Sequence, residues 1–164
     1  MITNIVCIVD LKVYLNLKVL CSKLCNVIYN PRKFSSLIWK HHKIKGTCML
    51  FSSGKVIMNG FKSKDEMKQN GRKFIRLLQK KCCLNLLNFS FKIITMSTSY
   101  NLSDRINLSH FNYEPEICNS AILKREHVTF LIFATGKVIA TGLKRMKCID
   151  NIVYPVIMEL ELYV

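Results

Sequence analysis

The residues of this chain that could bind a metal or act as nucleophiles are its eight cysteines and four histidines. No two cysteines have the CxxC spacing of zinc ribbons and dithiol redox sites, and the histidines form no HxxxH or CxxH pattern. Cys21 and Cys25 would need two further ligands from distant parts of the chain to bind zinc. Because the first residues lack the features of a secretory signal, we expect reduced cysteines that pack as small hydrophobic side chains, and no cofactor.

The chain also lacks the patterns of an enzyme active site. It has no ordered pair of carboxylates, no nucleophile motif and no phosphate-binding loop, so we expect no catalytic activity. Instead, 25 Lys and Arg residues against 10 Asp and Glu residues give a net charge of +15. This excess indicates a polyanionic partner, either nucleic acid or an anionic membrane surface. No apolar run approaches the roughly 20 residues that cross a bilayer.

An internal repeat organises the sequence. Residues 49–62 read MLFSSGKVIMNGFK and residues 131–144 read LIFATGKVIATGLK, a shift of 82 residues in a chain of 164. A second pair of similar segments, Tyr29-Asn30-Pro31 and Tyr113-Glu114-Pro115, supports the same division. Because the shift equals half of the length, it indicates a duplicated half rather than a short solenoid repeat. We predict two repeats, residues 1–88 and 89–164, that share one continuous sheet.

Each repeat predicts a β-hairpin followed by a helix. Gly54 and Gly136 lie between two apolar runs, where glycine supplies the positive φ that a hairpin turn needs. Ser63 opens a capping box at the start of the first helix. The second helix, residues 145–160, contains Pro155, which predicts a bend or a break. The predicted strands are 4–10, 47–52, 55–59, 92–98, 128–134 and 137–141.

The hairpin strands are apolar on both faces. Met49 and Phe51 face one side and Cys48 and Leu50 the other, whereas a half-buried antiparallel strand alternates apolar with polar residues. The few predicted helices can cover one face only, so an apolar face remains open on a basic protein. The minor groove of DNA, a sugar and base-edge surface between phosphates, suits such a face. A β-sandwich or a dimer that buries the second face fits the pattern equally well.

Segments in both halves resemble the core domain of the TATA-binding protein family. They are YNPRKF (29–34), LFSSGKVIMNGFKS (50–63), RKFIRLLQK (72–80), YEPE (113–116), LIFATGKVIATGLK (131–144) and YPV (154–156). The resemblance implies an α+β saddle, in which two pseudo-symmetric repeats form one curved antiparallel sheet of about ten strands with helices on its convex side. It also implies that the concave face binds the minor groove of TATA-containing DNA; the family is itself a standard example of that binding mode.

The resemblance assigns DNA contacts by type. The family has two wedge phenylalanines per repeat, and the matching positions are Phe34, Phe51, Phe133 and Cys118. A cysteine is too small to unstack a base step well, so its neighbour Ile117 is an alternative wedge. Central polar and adjoining positions are Asn4, Val6, Asn59, Thr95, Ser97 and Thr141. The apolar floor is Met49, Ile57, Thr129, Leu131 and Ile139. The phosphate contacts are Lys40, Ser53, Lys55, Lys124, Thr135 and Lys137.

Charge is divided unevenly between the halves, which suits contacts with different partner proteins. Residues 1–88 hold 17 basic and 3 acidic residues, and residues 89–164 hold 8 and 7. By resemblance, an acidic stirrup binds a transcription factor IIB-type protein, and a basic helix face binds transcription factor IIA or negative regulators. The stirrup residues are Glu114, Glu116 and Ile117, and the helix residues are Lys68, Lys73 and Lys80.

The second half departs from the family. The stretch between Thr98 and Tyr113 is several residues short, so we expect a reduced helix there, and the final helix is about a turn short. These losses are typical of a divergent or virus-encoded relative.

The implied function is that of a general initiation factor. It binds and bends A·T-rich, TATA-type promoter DNA through the minor groove and nucleates assembly of the initiation complex with the RNA polymerase machinery. We expect no membrane partner. The alternative is an interaction protein with weak DNA binding that recruits or sequesters basal factors. The second half, whose DNA-facing residues depart from the family, favours this alternative. The retained Phe34, Phe51 and Phe133 argue against it. The expected location is the nucleus, or a cytoplasmic viral factory for a virus-encoded protein.

Overall fold

The computed structural model describes residues 1–86 and 88–164, and this part of the chain divides into two compact units. The first unit is Asn4–Ile94, and the second unit is Met1–Thr3 together with Thr95–Val164. The boundary after residue 88 stays a prediction. The elements in chain order are β1 (Ile2–Asp10), α1 (Leu17–Lys23), β2 (Val27–Tyr29), β3 (Ser36–Trp39), β4 (Thr47–Phe51), β5 (Lys55–Phe61), α2 (Lys64–Cys82), β6 (Lys92–Asn101), β7 (Ser120–Arg125), β8 (Val128–Phe133), β9 (Lys137–Leu143) and α3 (Tyr154–Leu160).

The first unit is an antiparallel sheet packed against helices. Its strands lie in the order β2-β3-β4-β5-β1, and α1 and α2 pack against the sheet and against each other. Trp39 of β3 and Phe74 of α2 meet edge to face with ring centroids 5.1 Å apart, which identifies the helix-covered face. The same face carries Cys7, Cys48 and Met58, all with less than 2 % of their surface exposed. The core of the first unit therefore lies between α2 and this face.

Helix α2 begins as the capping box predicts. The Ser63 hydroxyl accepts a hydrogen bond from the Glu66 N–H at 3.1 Å, and the Glu66 carboxylate accepts one from the Lys62 N–H at 2.6 Å. The Lys45 ammonium also pairs with Glu66. The hydrogen bonds from the Lys45 ammonium and from the Lys62 N–H lower the pKa of Glu66. Its contribution to stability is therefore present above its unfolded pKa and is lost as pH falls through the lower folded value. The predicted helix start is confirmed.

The second unit repeats part of this arrangement. Its strands lie in the order β6-β9-β8-β7, and the chain start extends along β6, where the Ser99 N–H donates to the Met1 carbonyl at 2.9 Å. Segment 108–110 is a single 3-10 turn where the first unit has α1, which confirms the predicted reduction. In the described residues no strand corresponds to β2, so nine strands are present where about ten were expected.

Pro155 does not break the last helix. The turn before it, Ile149–Val153, is π-helical, and α3 begins at Tyr154 with the proline in its first turn. A proline lacks the N–H that an α-helical ladder requires, and a widened turn directly before it accommodates this loss. The predicted break is therefore wrong, because a π-helical turn leads directly into α3, and the predicted bend stays a prediction.

The buried cysteines behave as hydrophobic side chains. Cys7 is fully buried, and burial raises the pKa of its thiol to about 11, so the thiol is neutral at ordinary pH. In residues 1–86 and 88–164, no group of three or more His, Cys, Asp or Glu side chains could hold a metal ion. None of the helices described is long and apolar enough to cross a membrane.

Candidate nucleic-acid interface

In the first unit, the sheet face opposite to the helices is apolar and half-exposed. Met49 lies between Ile38 and Ile57 in the strand register, and Ile57 in turn pairs with Ile8. These four side chains are neither fully buried nor fully exposed, and the helices pack on the other side. We call this surface the first open face; its members are Asn4, Val6, Ile8, Ile38, Met49, Phe51, Ile57 and Asn59.

Two members of the first open face, Ile8 and Ile38, were not predicted as site residues from the sequence. Ile8 follows Val6 at a spacing of two on β1, and Ile38 lies directly across from Met49. A strict period of two through Asn4 and Val6 would have identified Ile8. Ile38 could not be identified in this way because β3, only four residues long, was not predicted as a strand.

A β-bulge interrupts the first open face near its polar end. Ile5 pairs with Phe61 and Cys7 with Met58, so Val6 alone opposes Asn59 and Gly60. Gly60 has φ +95°, a value that favours glycine, and bulges of this kind turn a side chain away from the regular strand direction. The second unit has the same irregularity, where Ser97 opposes Thr141 and Gly142. Four residues assigned by resemblance to the centre of a DNA contact thus lie at two equivalent bulges.

The bulge fixes the orientation of the Asn4 amide. The Gly60 N–H donates to Asn4 Oδ1 at 2.8 Å, so the oxygen of the amide faces the backbone and its NH2 group is directed elsewhere. Asn4 is half-buried on the first open face. This geometry leaves the NH2 group as the part of the Asn4 side chain that can still donate, and Thr95 stands at the matching position of the second repeat.

The matching sheet surface of the second unit, which we call the second open face, is more polar than the first open face. Leu131 pairs with both Ile122 and Ile139, and Thr129 pairs with Lys124 and Thr141. Ser99 lies across from Ile139, and neither Ser99 nor Ile122 was predicted as a site residue. The members of the second open face are Ser97, Ser99, Ile122, Thr129, Leu131, Phe133, Ile139 and Thr141. Half of these residues carry a hydroxyl, so this face offers less apolar surface to a ligand.

The positions of Phe34 and Cys118 are equivalent in local geometry as well as in sequence. In the first unit the N–H groups of Lys33 and Phe34 donate to the Asn30 carbonyl at 3.0 and 2.9 Å. In the second unit the N–H groups of Ile117 and Cys118 donate to the Glu114 carbonyl, both at 3.0 Å. Cys118 therefore occupies the turn position of Phe34, and Ile117 occupies that of Lys33.

The two equivalent side chains present different surfaces. The Phe34 ring is 58% exposed. Cys118 Sγ lies 3.2 Å from Ser120 Oγ, and hydrogen bonds with Ser120 lower the pKa of the thiol. Next to Cys118 is an open groove of about 540 Å³, which Ile117, 79% exposed, also borders. Where the first unit presents an aromatic ring, the second unit has a small thiol beside an open groove.

Exposed lysines lie at the turns of both hairpins. Lys55 and Lys137 directly follow Gly54 and Gly136, and the N–H groups of these glycines close the turns onto the carbonyls of Phe51 and Phe133 at 3.0 and 2.9 Å. Within the described residues, the ion pairs to Lys or Arg use Lys45 and Arg125 and leave the hairpin lysines unpaired. The other exposed residues assigned to phosphate are Lys40, Ser53, Lys124 and Thr135.

The residues assigned to protein partners are exposed as well. Glu114 and Glu116 lie in the turn that carries Ile117. Lys68, Lys73 and Lys80 lie on the solvent side of α2, whose buried side includes Met67, Phe74 and Leu78.

Comparisons with known proteins agree on one family. The sequence model of the family described as transcription factor TFIID (or TATA-binding protein, TBP) matches residues 1–81 and 90–162. A TATA-box-binding protein of Candida albicans is 33% identical over 172 residues, covering 95% of this chain and 71% of the relative. TATA-box-binding protein 1 of Arabidopsis thaliana is 35% identical over 175 residues, covering 95% and 84%.

A solved structure shares the fold. The chain superimposes on Methanococcus jannaschii TBP with a TM-score of 0.85 and 27% sequence identity, over 98% of this chain and 97% of the other. The predicted α+β fold and the predicted family resemblance are both confirmed.

Proposed function

Because this chain belongs to the family of transcription factor TFIID, or TATA-binding protein, we propose that it binds and bends A·T-rich promoter DNA through the minor groove. The observation that carries the proposal is a similar surface in each unit: a half-exposed sheet face with apolar side chains, more polar in the second unit, next to a hairpin turn with an exposed lysine. The apolar face suits sugars and base edges, and the lysines suit the flanking phosphates.

The polar groups of the open faces support a preference for A·T pairs. In the minor groove A·T presents only acceptors, whereas G·C adds the donor amino group of guanine. The Gly60 N–H occupies the amide oxygen of Asn4 and leaves its NH2 group to donate. The hydroxyl of Thr141 on the second open face can donate as well, as can that of Thr95 at the position matching Asn4. A guanine amino group would meet the apolar floor residues and remain unpaired, so G·C pairs are expected to be rejected.

The two halves are expected to deform DNA unequally. The first repeat offers Phe34 and Phe51 as wedges, and the second offers Phe133 with Cys118 at the matching turn position. Unstacking a base step costs a few kcal/mol, which the inserted apolar side chain must offset. A cysteine supplies little of this contact, so we expect the kink on that side to be weaker.

The bound protein would then recruit further initiation proteins in the nucleus. The exposed Glu114, Glu116 and Ile117 suit a transcription factor IIB-type protein, and the Lys68, Lys73 and Lys80 face of α2 suits transcription factor IIA. The missing aromatic at Cys118 favours a second candidate, an interaction protein that binds basal factors but DNA only weakly.

A titration of doubly end-labelled duplexes separates these two functions. Fluorescence anisotropy would report binding and energy transfer would report the end-to-end distance, with A·T-rich and G·C-rich duplexes at two salt concentrations. Selective binding to the A·T-rich duplex with a shortened end-to-end distance supports the promoter-binding role. Weak, unselective binding that disappears with added salt would instead support the interaction protein.

Replacing Lys55 with alanine is expected to reduce the salt dependence of DNA binding. Log K falls as log salt rises, and the loss of one phosphate contact makes this slope shallower by about 0.9. Binding to A·T-rich and G·C-rich duplexes should weaken by similar factors. Lys18→Ala, which removes an exposed lysine of α1, is the matched control and should leave the slope unchanged. Equal salt-dependence slopes for the Lys55 and Lys18 variants would show that Lys55 does not contact a phosphate.

A further inference from the structure

The groove beside Cys118 lies within the second unit and is bordered by aromatic and aliphatic side chains. Its volume is about 540 Å³, and Phe111, Tyr113 and Ile122 contribute apolar surface to it. In another protein a cavity of roughly 150 Å³ holds one benzene molecule. The groove therefore has room for a flat aromatic group as large as a purine.

The groove is continuous with the second open face. Ile122 belongs to both, and it lies directly across from Leu131 in the register of β7 and β8. Cys118, at the turn position of Phe34, also borders the groove. DNA bound to the second open face would therefore adjoin the groove at the position where a wedge phenylalanine is missing.

Two aromatic rings of the groove offer surfaces on which a base can stack. Phe111 and Tyr113 are both half-buried, so part of each side chain stays accessible. The Phe111 ring packs against Tyr163 with ring centroids 5.6 Å apart and planes at 63°, and the Phe111 N–H donates to the Leu108 carbonyl at 3.0 Å. Stacking on such rings is open to every base, because every base has a flat aromatic face.

The polar groups of the groove can form hydrogen bonds with a base. Asn112 contributes an amide, which both donates and accepts, and Glu114 contributes a carboxylate, which accepts. No Lys or Arg is among the eight residues that line the groove. The groove therefore suits the uncharged base of a nucleotide, whereas a phosphate would meet the Glu114 carboxylate.

We propose that this groove binds an unpaired nucleobase of the DNA that lies on the second open face. The Phe34 ring of the first unit is a wedge that enters the DNA, and in the second unit a base enters the protein instead. This base stacks on Phe111 or Tyr113, and its amino or imino group donates to Glu114. The inference rests on the proposed DNA-binding function and specifies what the second unit recognises at one end of the DNA site.

An aromatic side chain of a partner protein would fit the same space. The continuity of the groove with the second open face favours a base, because bound DNA already lies beside the groove and no third molecule is needed. Taking a base out of a duplex costs a few kcal/mol, and this cost is least for a base that has no partner. An unpaired base within a duplex is therefore the probe of choice.

Two duplexes that differ in one base test the proposal. Both contain the same A·T-rich site with an extra nucleotide at each end, which is an unpaired adenine in one duplex and an abasic residue in the other. Both backbones are interrupted in the same way, so a general preference for flexible DNA does not distinguish them. We expect the adenine duplex to bind at least about fivefold more tightly, which is the lower end of the contribution of one stacked base.

Substitutions localise this preference to the groove. Cys118→Phe places a ring at the groove and should make the affinities for the adenine and abasic duplexes equal. Tyr113→Ala removes one stacking surface and should reduce the preference for the adenine duplex at least twofold. Tyr29→Ala, at the matching position of the first repeat, is the control and should retain the full preference.

A fluorescent base gives a second measurement that requires no variant. With 2-aminopurine as the unpaired base, fluorescence should change when the protein binds, because the base exchanges its neighbours in the DNA for an aromatic side chain. Equal affinities for the adenine and abasic duplexes, or unchanged 2-aminopurine fluorescence in the bound duplex, would overturn the proposal. Binding to the uninterrupted A·T-rich duplex tests the DNA-binding function separately, so the two failures are distinguishable.

Discussion

Replacing Phe133 with alanine is expected to weaken binding to an A·T-rich duplex by roughly 30- to 100-fold, corresponding to about 2–3 kcal/mol. It should also lengthen the end-to-end distance of the bound DNA. The association rate should change by less than about threefold, because the hairpin lysines that govern encounter remain in place. Anisotropy and energy transfer on the same labelled duplex, at equilibrium and in stopped flow, would measure the affinity, the end-to-end distance and the association rate.

The size of the Phe133 effect follows from the asymmetry of the two units. Phe51→Ala leaves Phe34 as a second aromatic wedge in the first repeat, whereas Phe133→Ala leaves only Cys118 at the matching position of the second. We therefore expect the Phe51 variant to lose less affinity and less bending. Phe89→Ala, which removes an aromatic ring outside both open faces, is the matched control.

A reciprocal variant tests the same assignment in the opposite direction. Cys118→Phe places an aromatic side chain beside an open groove, at the turn position that Phe34 has in the first unit. It should shorten the end-to-end distance of bound DNA and raise affinity by severalfold. If the Phe133→Ala and Cys118→Phe variants bent DNA to nearly the same end-to-end distance as the parent protein, the wedge assignment would be contradicted.

Replacing Gly54 with alanine is expected to destabilise the protein by roughly 3 kcal/mol, lowering the melting temperature by about 6–12 °C. Gly54 has φ +84°, and an added Cβ would lie 2.1 Å from the Val13 carbonyl oxygen. Neither atom can move easily, because the Leu11 N–H donates to the Gly54 carbonyl at 3.0 Å and the Leu15 N–H donates to the Ser52 carbonyl at 2.9 Å. Thermal unfolding followed by circular dichroism would measure the change.

Gly71→Ala is the matched control for Gly54→Ala. Gly71 lies inside α2, and its added Cβ would meet the Phe91 ring, a side chain outside the strands and helices. Alanine also has a higher helix propensity than glycine, by about 1 kcal/mol, which offsets part of the crowding. We expect its melting temperature to change by only a few degrees. A Gly54→Ala variant with the same melting temperature as the parent protein would show that the turn tolerates a side chain.

The duplication made much of the fold predictable. All six predicted strands are present, and four of them flank Gly54 and Gly136, where apolar runs combine with a turn signal. The start of α2 was equally clear, since the Ser63 capping box is a local pattern that needs no knowledge of the rest of the chain. These elements were predictable because their signals lie within short segments of the chain.

Features that depend on partners across the sheet were not predictable. The bulges at Gly60 and Gly142 were not predicted, because a glycine inside a strand is a weak sign of a bulge until the register against β1 and β6 is known. Helix α1 has seven residues, too few to show a helical period. Its counterpart in the second unit is a single 3-10 turn, and this loss was predicted from the short segment before Tyr113.

The candidate interface was predicted in part for the same reason. Met49, Phe51 and Ile57 alternate with buried residues on predicted strands, so their shared face could be read from the sequence. Ile38 lies on an unpredicted strand, and the orientation of the Asn4 amide depends on the Gly60 bulge. The roles of these residues in DNA binding stay predictions.

The most direct test of the proposed function replaces A·T pairs by inosine·cytosine pairs in the labelled duplex. Inosine lacks the amino group of guanine, so this pair has the minor-groove pattern of A·T and the major-groove pattern of G·C. Minor-groove binding predicts that the inosine duplex is bound and bent like the A·T-rich duplex. Binding as weak as that of the G·C-rich duplex would contradict minor-groove recognition by the two open faces.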